Sequence, residues 1–270
     1  MKTTDIPTFS FRRELARIRT RIDREASSHL IVRHDDSEQP IWQQHLSANS
    51  HFCRTLVANG YLTAEQMRRA ARRYRLGMAR DGGVIFWQIG LQEQVYDGKI
   101  MYYRDNCHRD HSHNPTWVSA ELKNFYLDDD FPADCLPTTN HCLFGTHLLR
   151  EDDTHAAEPD LPHPSTPVAV VEAEKTAIIC SERYPDFLWL APGGLEALTP
   201  EVLFPLRNRK IILFPDTDDT GETFGRWYQI AQRAQRLLGC PIRVSPILEQ
   251  RATADQKRRK IDIADFLFEQ

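Results

Sequence analysis

Residues 167–180 read PVAVVEAEKTAIIC, residues 187–198 read FLWLAPGGLEAL, and residues 210–227 read KIILFPDTDDTGETFGRW. Each stretch opens with a short apolar run, the pattern of a strand buried on both faces. Each run gives way to acidic or glycine residues, where a loop or helix begins. Three such units in succession predict a parallel α/β sheet, whose functional groups sit at the carboxyl ends of its strands. Glu172 ends the first run, Gly193 and Gly194 follow the second, and Asp216, Asp218 and Asp219 follow the third. If the strands are neighbours, these carboxylates converge on one edge. Crowded carboxylates repel one another, so the cluster predicts a bound divalent cation, and its oxygen-only ligands favour Mg2+ or Mn2+ over zinc.

The order, strand contexts and spacing of these motifs resemble the Toprim domain shared by bacterial-type primases, topoisomerases, some nucleases and phage primase-helicases. Glu172 stands where that family closes its first strand with glutamate. Gly193 and Gly194 match its glycine pair, and Asp216, Asp218 and Gly221 match its Asp-x-Asp with a following glycine. The chain departs from the pattern at Ala173, where many members have glycine, and at Lys175 and Thr176, which replace a frequent acidic residue. The resemblance implies an α/β fold with a Toprim-type parallel sheet flanked by helices. It also implies that Glu172, Asp216 and Asp218 are catalytic and hold metal. The closing KIDIADFLFEQ at 260–270 is similar to the ending of phage primases and their relatives, which brings Lys260, Asp262 and Asp265 to the edge of the site, Asp262 as a further metal residue. Read without the resemblance, Asp262 is a helix cap with Ile263, Phe266 and Leu267 facing inward.

Upstream, the charge is distributed unevenly. Residues 1–80 carry 15 Lys+Arg against 8 Asp+Glu, residues 81–166 carry 5 against 15, and residues 167–270 carry 14 against 15. A basic amino-terminal region suits contact with a phosphate backbone, or docking on the acidic middle. Residues 9–27 predict an arginine-rich helix with Leu15, Ile18 and Ile22 on one face. A second helix is expected from Ser50 to Ala58. A third begins at Thr63, with Gln66 placed to complete a capping box, and stops at Gly77. On it Met67, Ala70, Ala71 and Tyr74 form the inner stripe, while Arg68, Arg69, Arg72, Arg73 and Arg75 make a cation-dense surface. Arg69, Arg72 and Arg73 are thus candidates for nucleic-acid binding, against a salt-bridged structural face.

From Gly82 the periodicity changes to that of strands: GGVIFWQIG, then DGKIMYYR, with WVSAELK as a third. Between the last two, Cys107, His108, His111 and His113 crowd together, but their spacing matches no regular zinc site. The succession YRLG (74–77), GVIFWQI, GKIMYYR, Lys123 in AELKNFY and CLFG (142–145) resembles the small sheet domain that precedes the Toprim segment in phage primase-helicases and related primases. By that resemblance Lys99, Arg104, Lys123 and Lys175, with Gly193 and Gly194, are candidates for nucleotide phosphates or the template strand. Residues 50–270 as a whole look similar to primase-like proteins carried by bacterial mobile elements.

The expected organisation is therefore a basic helical region over 1–80, a small α+β primase-like domain over 81–150, an acidic and proline-rich linker over 151–166, and the Toprim domain over 167–270. Within the last, helices are expected over 174–183, 200–207 and 220–238, and IRVSPIL predicts a fourth strand. No apolar run approaches the roughly 18 residues of a membrane span, and the amino terminus lacks the apolar centre of a secretory signal, so a cytoplasmic protein is expected. Six scattered cysteines without a C-x-x-C pair read as reduced thiols. No paired cysteines supply the zinc ribbon common in such primases, and no G-x-x-x-x-G-K-[ST] loop marks a helicase motor. The expected activity is metal-dependent nucleotidyl transfer on single-stranded DNA with nucleoside triphosphates, primase-like, with a helicase or replication initiator as partner. The same carboxylates would equally serve a nuclease, and a non-catalytic nucleic-acid-binding accessory protein is the third reading.

Overall fold

A computed structural model describes residue 43 and residues 45–125, 142–149 and 165–269. The arginine-rich helix expected at 9–27, and all of the expected linker except residues 165 and 166, lie outside the described residues. The fold is mixed α/β, and the described residues form one antiparallel and one parallel sheet of four strands each.

The first helices start close to where the sequence places them, with Ser50 as a cap and not, as expected, the first helical residue. Helix α1 covers His51–Ala58, with the Ser50 hydroxyl accepting from the Cys53 amide. Helix α2 covers Ala64–Arg73, and Thr63 and Gln66 close the capping box in both directions, at 3.2 and 2.9 Å. Strands β1 (Gly77–Met78), β2 (Val84–Ile89), β3 (Val95–Met101) and β4 (Thr116–Trp117) form the antiparallel sheet in chain order. Both faces of β2 are covered. Val84 and Phe86 point into the main core, while Ile85, Trp87 and Ile89 meet Ala79, Ile100 and Val118 on the other side.

The expected third strand in WVSAELK is mostly helix: after the two residues of β4, Val118–Phe125 form α3. The Asp97 carboxylate accepts from the Ser119 amide at 3.1 Å and its hydroxyl at 2.6 Å, satisfying a donor of the first turn. A contact across 22 residues fixes this helix start, and strand propensity loses to it.

The parallel sheet consists of β5 (Val168–Val171), β6 (Leu188–Leu190), β7 (Ile211–Phe214) and β8 (Ile242–Val244), in the order β6-β5-β7-β8. Helix α4 (Glu174–Arg183) joins β5 to β6, and α5 (Glu222–Leu238) joins β7 to β8 and ends at Gly239. Residues 200–207 form turns and a 3-10 segment at Phe204–Leu206, not the expected helix. Pro205 supplies no amide there and cannot continue an α-helical ladder. After β8, Pro246 precedes the short α6 (Ile247–Arg251), followed by α7 (Ala254–Arg259) and α8 (Ile263–Phe268).

A continuous buried cluster runs from Phe52 through both sheets to Phe266. Its bridge is the CLFG segment. Phe144 stacks on Tyr74 at 5.0 Å, meets Phe86 edge-on at 5.5 Å, and pairs its backbone with Ala191 just after β6. The Tyr74 hydroxyl donates to the Trp189 carbonyl at 2.8 Å. Gly145 has a φ of 89°, and a Cβ there would lie 2.7 Å from a Leu190 methyl, so only glycine fits this close approach. The two sheets are thereby held at one fixed joint, beside the carboxyl ends of β5 and β6.

Candidate functional site

Strand register brings the first and third acidic motifs together. β5 lies between β6 and β7, and Val171 pairs with Phe214. Glu172 therefore leaves the sheet one residue after the pair and Asp216 two residues after it, on the same edge. Asp216 is closely surrounded by protein yet keeps some solvent-accessible surface. Burial, followed by the negative charges of Asp262 and Glu172, pushes its carboxyl well above the usual carboxylate range. Lys175 offsets part of that repulsion.

Asp262 and Asp265 come to this edge from α8. The Asp262 carboxylate caps that helix, accepting from the Asp265 amide at 2.8 Å, and it also accepts from the Thr176 hydroxyl at 2.6 Å. Lys175, on the first turn of α4, places its ammonium 3.4 Å from Asp262 and 3.4 Å from Asp265. Burial alone would raise the Asp262 carboxyl; the Lys175 charge and the Thr176 hydrogen bond outweigh it and hold it below its ordinary value. Asp265 moves the other way, raised by burial and by the negative charge of Asp262. Lys260, by contrast, is an exposed residue in the left-handed cap of α7.

Asp218 serves the protein differently from Asp216. Its carboxylate accepts from the Thr220 amide and hydroxyl and from the amides of Glu222 and Thr223, at 2.6 to 3.2 Å. It thus satisfies the orphan donors at the start of α5. Burial would raise the Asp218 carboxyl, but these hydrogen bonds prevail and hold it well below the ordinary range.

The glycine pair after β6 meets a residue from the other sheet. Lys99 pairs with Phe86 across β2 and β3, and strand alternation turns both toward the parallel half. Its ammonium lies 3.2 Å from the buried Glu174 carboxylate and donates to the Gly193 carbonyl at 2.5 Å. Gly193 has a φ of 88°, and a Cβ there would stand 2.6 Å from a Glu174 oxygen. Lys99, Glu174 and Gly193 thus form a single contact between the sheets. Glu174 was not among the sequence-derived candidates. The signal that could have found it is its place among the charged residues that open an otherwise apolar helix, EKTAIIC.

The arginines of α2 divide. Arg69 pairs with the buried Glu182 of α4, and Arg73 lies 3.2 Å from the same carboxylate. Arg75 pairs with Glu93. Arg68 and Arg72 remain exposed. Arg104 is an exposed residue 3.8 Å from Asp110, and Lys123 lies on α3. In the histidine-rich loop, His113 bonds Asp110 at 2.9 Å and stacks on Tyr102. Among the described residues no three His, Cys, Asp or Glu side chains are arranged around a common metal position, and no helix is long and apolar enough to cross a membrane.

A family model described as a domain of unknown function, DUF6371, matches residues 50–217. That is more than half of the chain, which therefore belongs to this family. The match runs from the cap of α1 to the residue after Asp216, so it includes Lys99, Glu172, Glu174 and the glycine pair but not Asp218 or α8. No curated protein matches the chain.

Proposed function

We propose that this member of the DUF6371 family is a Toprim-type, metal-dependent nucleotidyltransferase that acts on nucleic acid and makes short primers on single-stranded DNA for the replication of a mobile element. The observation that carries the reading is the meeting of Glu172 and Asp216 at the ends of adjacent parallel strands, where burial and then the charges of Asp262 and Glu172 raise the Asp216 carboxyl. The donor set fits Mg2+ or Mn2+. These ions take oxygen ligands, and Mg2+ commonly uses one or two carboxylates with the remaining positions left to water and substrate phosphate. Glu172 and Asp216 would hold it. When bound, the ion supplies neutralisation of phosphate oxygens and a lowered pKa for an attacking hydroxyl.

The remaining residues orient and support. Asp218 fixes the start of α5 and so the loop that carries Asp216. Lys99 holds the glycine loop through the Gly193 carbonyl, and Glu174 holds Lys99. The open space around Gly194 leaves room for a substrate backbone beside the carboxylates. Arg68 and Arg72 are the α2 residues free of the Glu182 contact and exposed to a template strand. The commitment of Asp218 to capping, and of Lys175 to Asp262 and Asp265, favours a second reading, a nucleic-acid-binding accessory protein that retains the fold without the chemistry.

The test incubates the chain with single-stranded DNA, labelled ribo- and deoxyribonucleotides and Mg2+ or Mn2+, beside Glu172→Gln and Asp216→Asn. New short oligonucleotides from the wild type alone are expected. Shortened DNA without synthesis, lost in both variants, would replace the transferase by a nuclease. Binding of DNA with neither product, and no metal-dependent rise in melting temperature, would leave the accessory reading.

A further inference from the structure

From β5 the chain steps outward to β6, and from β7 it steps the other way to β8, so the strand order reverses between β5 and β7. In open parallel sheets, ligands bind in the crevice outside the carboxyl ends at such a reversal. Two elements border it here. After β6 the Gly193 amide donates to the Glu172 carbonyl at 3.2 Å, and the chain then makes a 3-10 turn over Leu195–Ala197. After β7 comes the start of α5. Glu196 on the turn and Arg226 on the helix join the two: the terminal guanidinium nitrogens of Arg226 donate one to each oxygen of the Glu196 carboxylate. The pair thus runs from the loop beyond one neighbour of β5 to the helix beyond the other, and the Glu172 charge acts on Arg226.

This pair differs from the other ion pairs beside the crevice. Lys99 is held by a buried carboxylate and a carbonyl, and Lys175 by two aspartates. The Glu196 side chain is 80% exposed, and among the described residues its carboxylate accepts from Arg226 alone. An exposed pair of this kind is weak and readily exchanged. A Cβ built on Gly194, at the base of the turn, would meet no atom within 4 Å, which leaves space beside the pair. A planar guanidinium that grips both oxygens of a carboxylate offers the same two hydrogen bonds to two oxygens of a phosphate. Resting on the reading above, we propose that Arg226 is a phosphate-binding residue of this crevice and that Glu196 occupies it in the unliganded chain, a latch displaced by a phosphate of a nucleoside triphosphate or of a DNA strand. The exchange breaks two hydrogen bonds to Glu196, forms two to phosphate oxygens, and returns the Glu196 carboxylate to water. Glu172 and Glu222 both act on Arg226, and a phosphate approaching that much negative charge needs a positive group to receive it.

Calorimetric titration of the full chain with ATP and, separately, with an oligothymidylate, in Mg2+ at low ionic strength, tests this on the wild type, Glu196→Gln, Arg226→Gln and the double variant. Removing the latch should tighten binding by up to about five-fold, and removing Arg226 should weaken it by about ten-fold. In the double variant the loss of Glu196 should bring no gain. Tightening with ATP alone assigns the phosphate to an incoming nucleotide, and with the oligonucleotide alone to a DNA strand. A merely structural pair would move both single variants the same way. That outcome overturns the proposal, as does unchanged affinity in either, an equal gain from Glu196→Gln with and without Arg226, or no binding by the wild type and Glu196→Gln alike. The transferase reading fails separately: opposite shifts in affinity without primer synthesis keep the phosphate site and remove the transferase. Primers made by a wild type whose affinity is indifferent to Arg226→Gln keep the transferase and remove the site.

Discussion

Glu174 and Glu182 on α4 meet lysine and arginine from the first half of the chain, whereas Asp216, just beyond a strand end, meets mainly the negative charge of Asp262 and Glu172. Glu174 lies at the contact between the two sheets and Glu182 between α2 and α4, where a lone charge is costly, and each has a cation within hydrogen-bonding distance. Asp216 lies at an edge still open to solvent, and the repulsion on it is only partly offset, by Lys175. What the difference teaches is that the antiparallel half spends its buried cations on holding the joint and not on the Glu172–Asp216 edge.

Breaking the joint should have the largest effect. Glu174→Ala leaves the Lys99 ammonium buried against the Gly193 carbonyl, a loss of about 3–5 kcal/mol for a broken buried pair. Denaturant unfolding should show this, and the double variant Lys99→Met, Glu174→Met should recover most of it. Equal losses in the single and double variants would mean that packing, not the ion pair, holds this contact.

A pH titration sharpens the comparison from inside the joint. His147, in the 3-10 turn after CLFG, donates from Nε2 to the Arg73 carbonyl at 3.0 Å. Burial, reinforced by the nearby Arg75 charge, holds its pKa down to about 3. The unfolded imidazole titrates near 6.5, so between those values the unfolded state binds the extra proton. Stability is fully present above pH 6.5 and falls as the pH is lowered, by up to about 1.4 kcal/mol per pH unit. The window from pH 6.5 to 5 precedes most carboxylate titration. Over it, His147→Gln should flatten the stability profile; an unchanged slope would assign the loss to other groups.

The smallest effects should differ in sign within one motif. Asp218→Ala removes a helix cap, costing about 1 kcal/mol whether or not metal is present. Asp216→Asn relieves repulsion, since a carboxyl with a raised folded pKa costs stability above its unfolded pKa and regains it as the pH falls. The metal-free protein should therefore gain about 1 kcal/mol at neutral pH, the usual size of a single-substitution effect, while losing Mg2+-dependent stabilisation. Equal destabilisation by both would erase the distinction between the two aspartates.

Local patterns in the chain determined a good deal by themselves. The caps at Thr63 and Asp262, the strands around Ile85, Val170 and Leu213, and the helix closed by Gly239 all follow from patterns within a few residues, whereas the meeting of Glu172 with Asp216 at one sheet edge needs β5 and β7 to be neighbours. Capping, alternation and chain reversal are short-range, so sequence carries them. Partner choice is different. Arg69 and Arg72 look alike in the sequence, yet one faces Glu182 and the other faces solvent. Asp216 and Asp218 are two residues apart, yet one is pressed by neighbouring charge and the other caps α5. Lys175 could have met a phosphate, and instead meets α8, some 90 residues on in the chain. Only the tertiary structure decided these, because a charged side chain takes the partner that the packing of distant elements places within its reach.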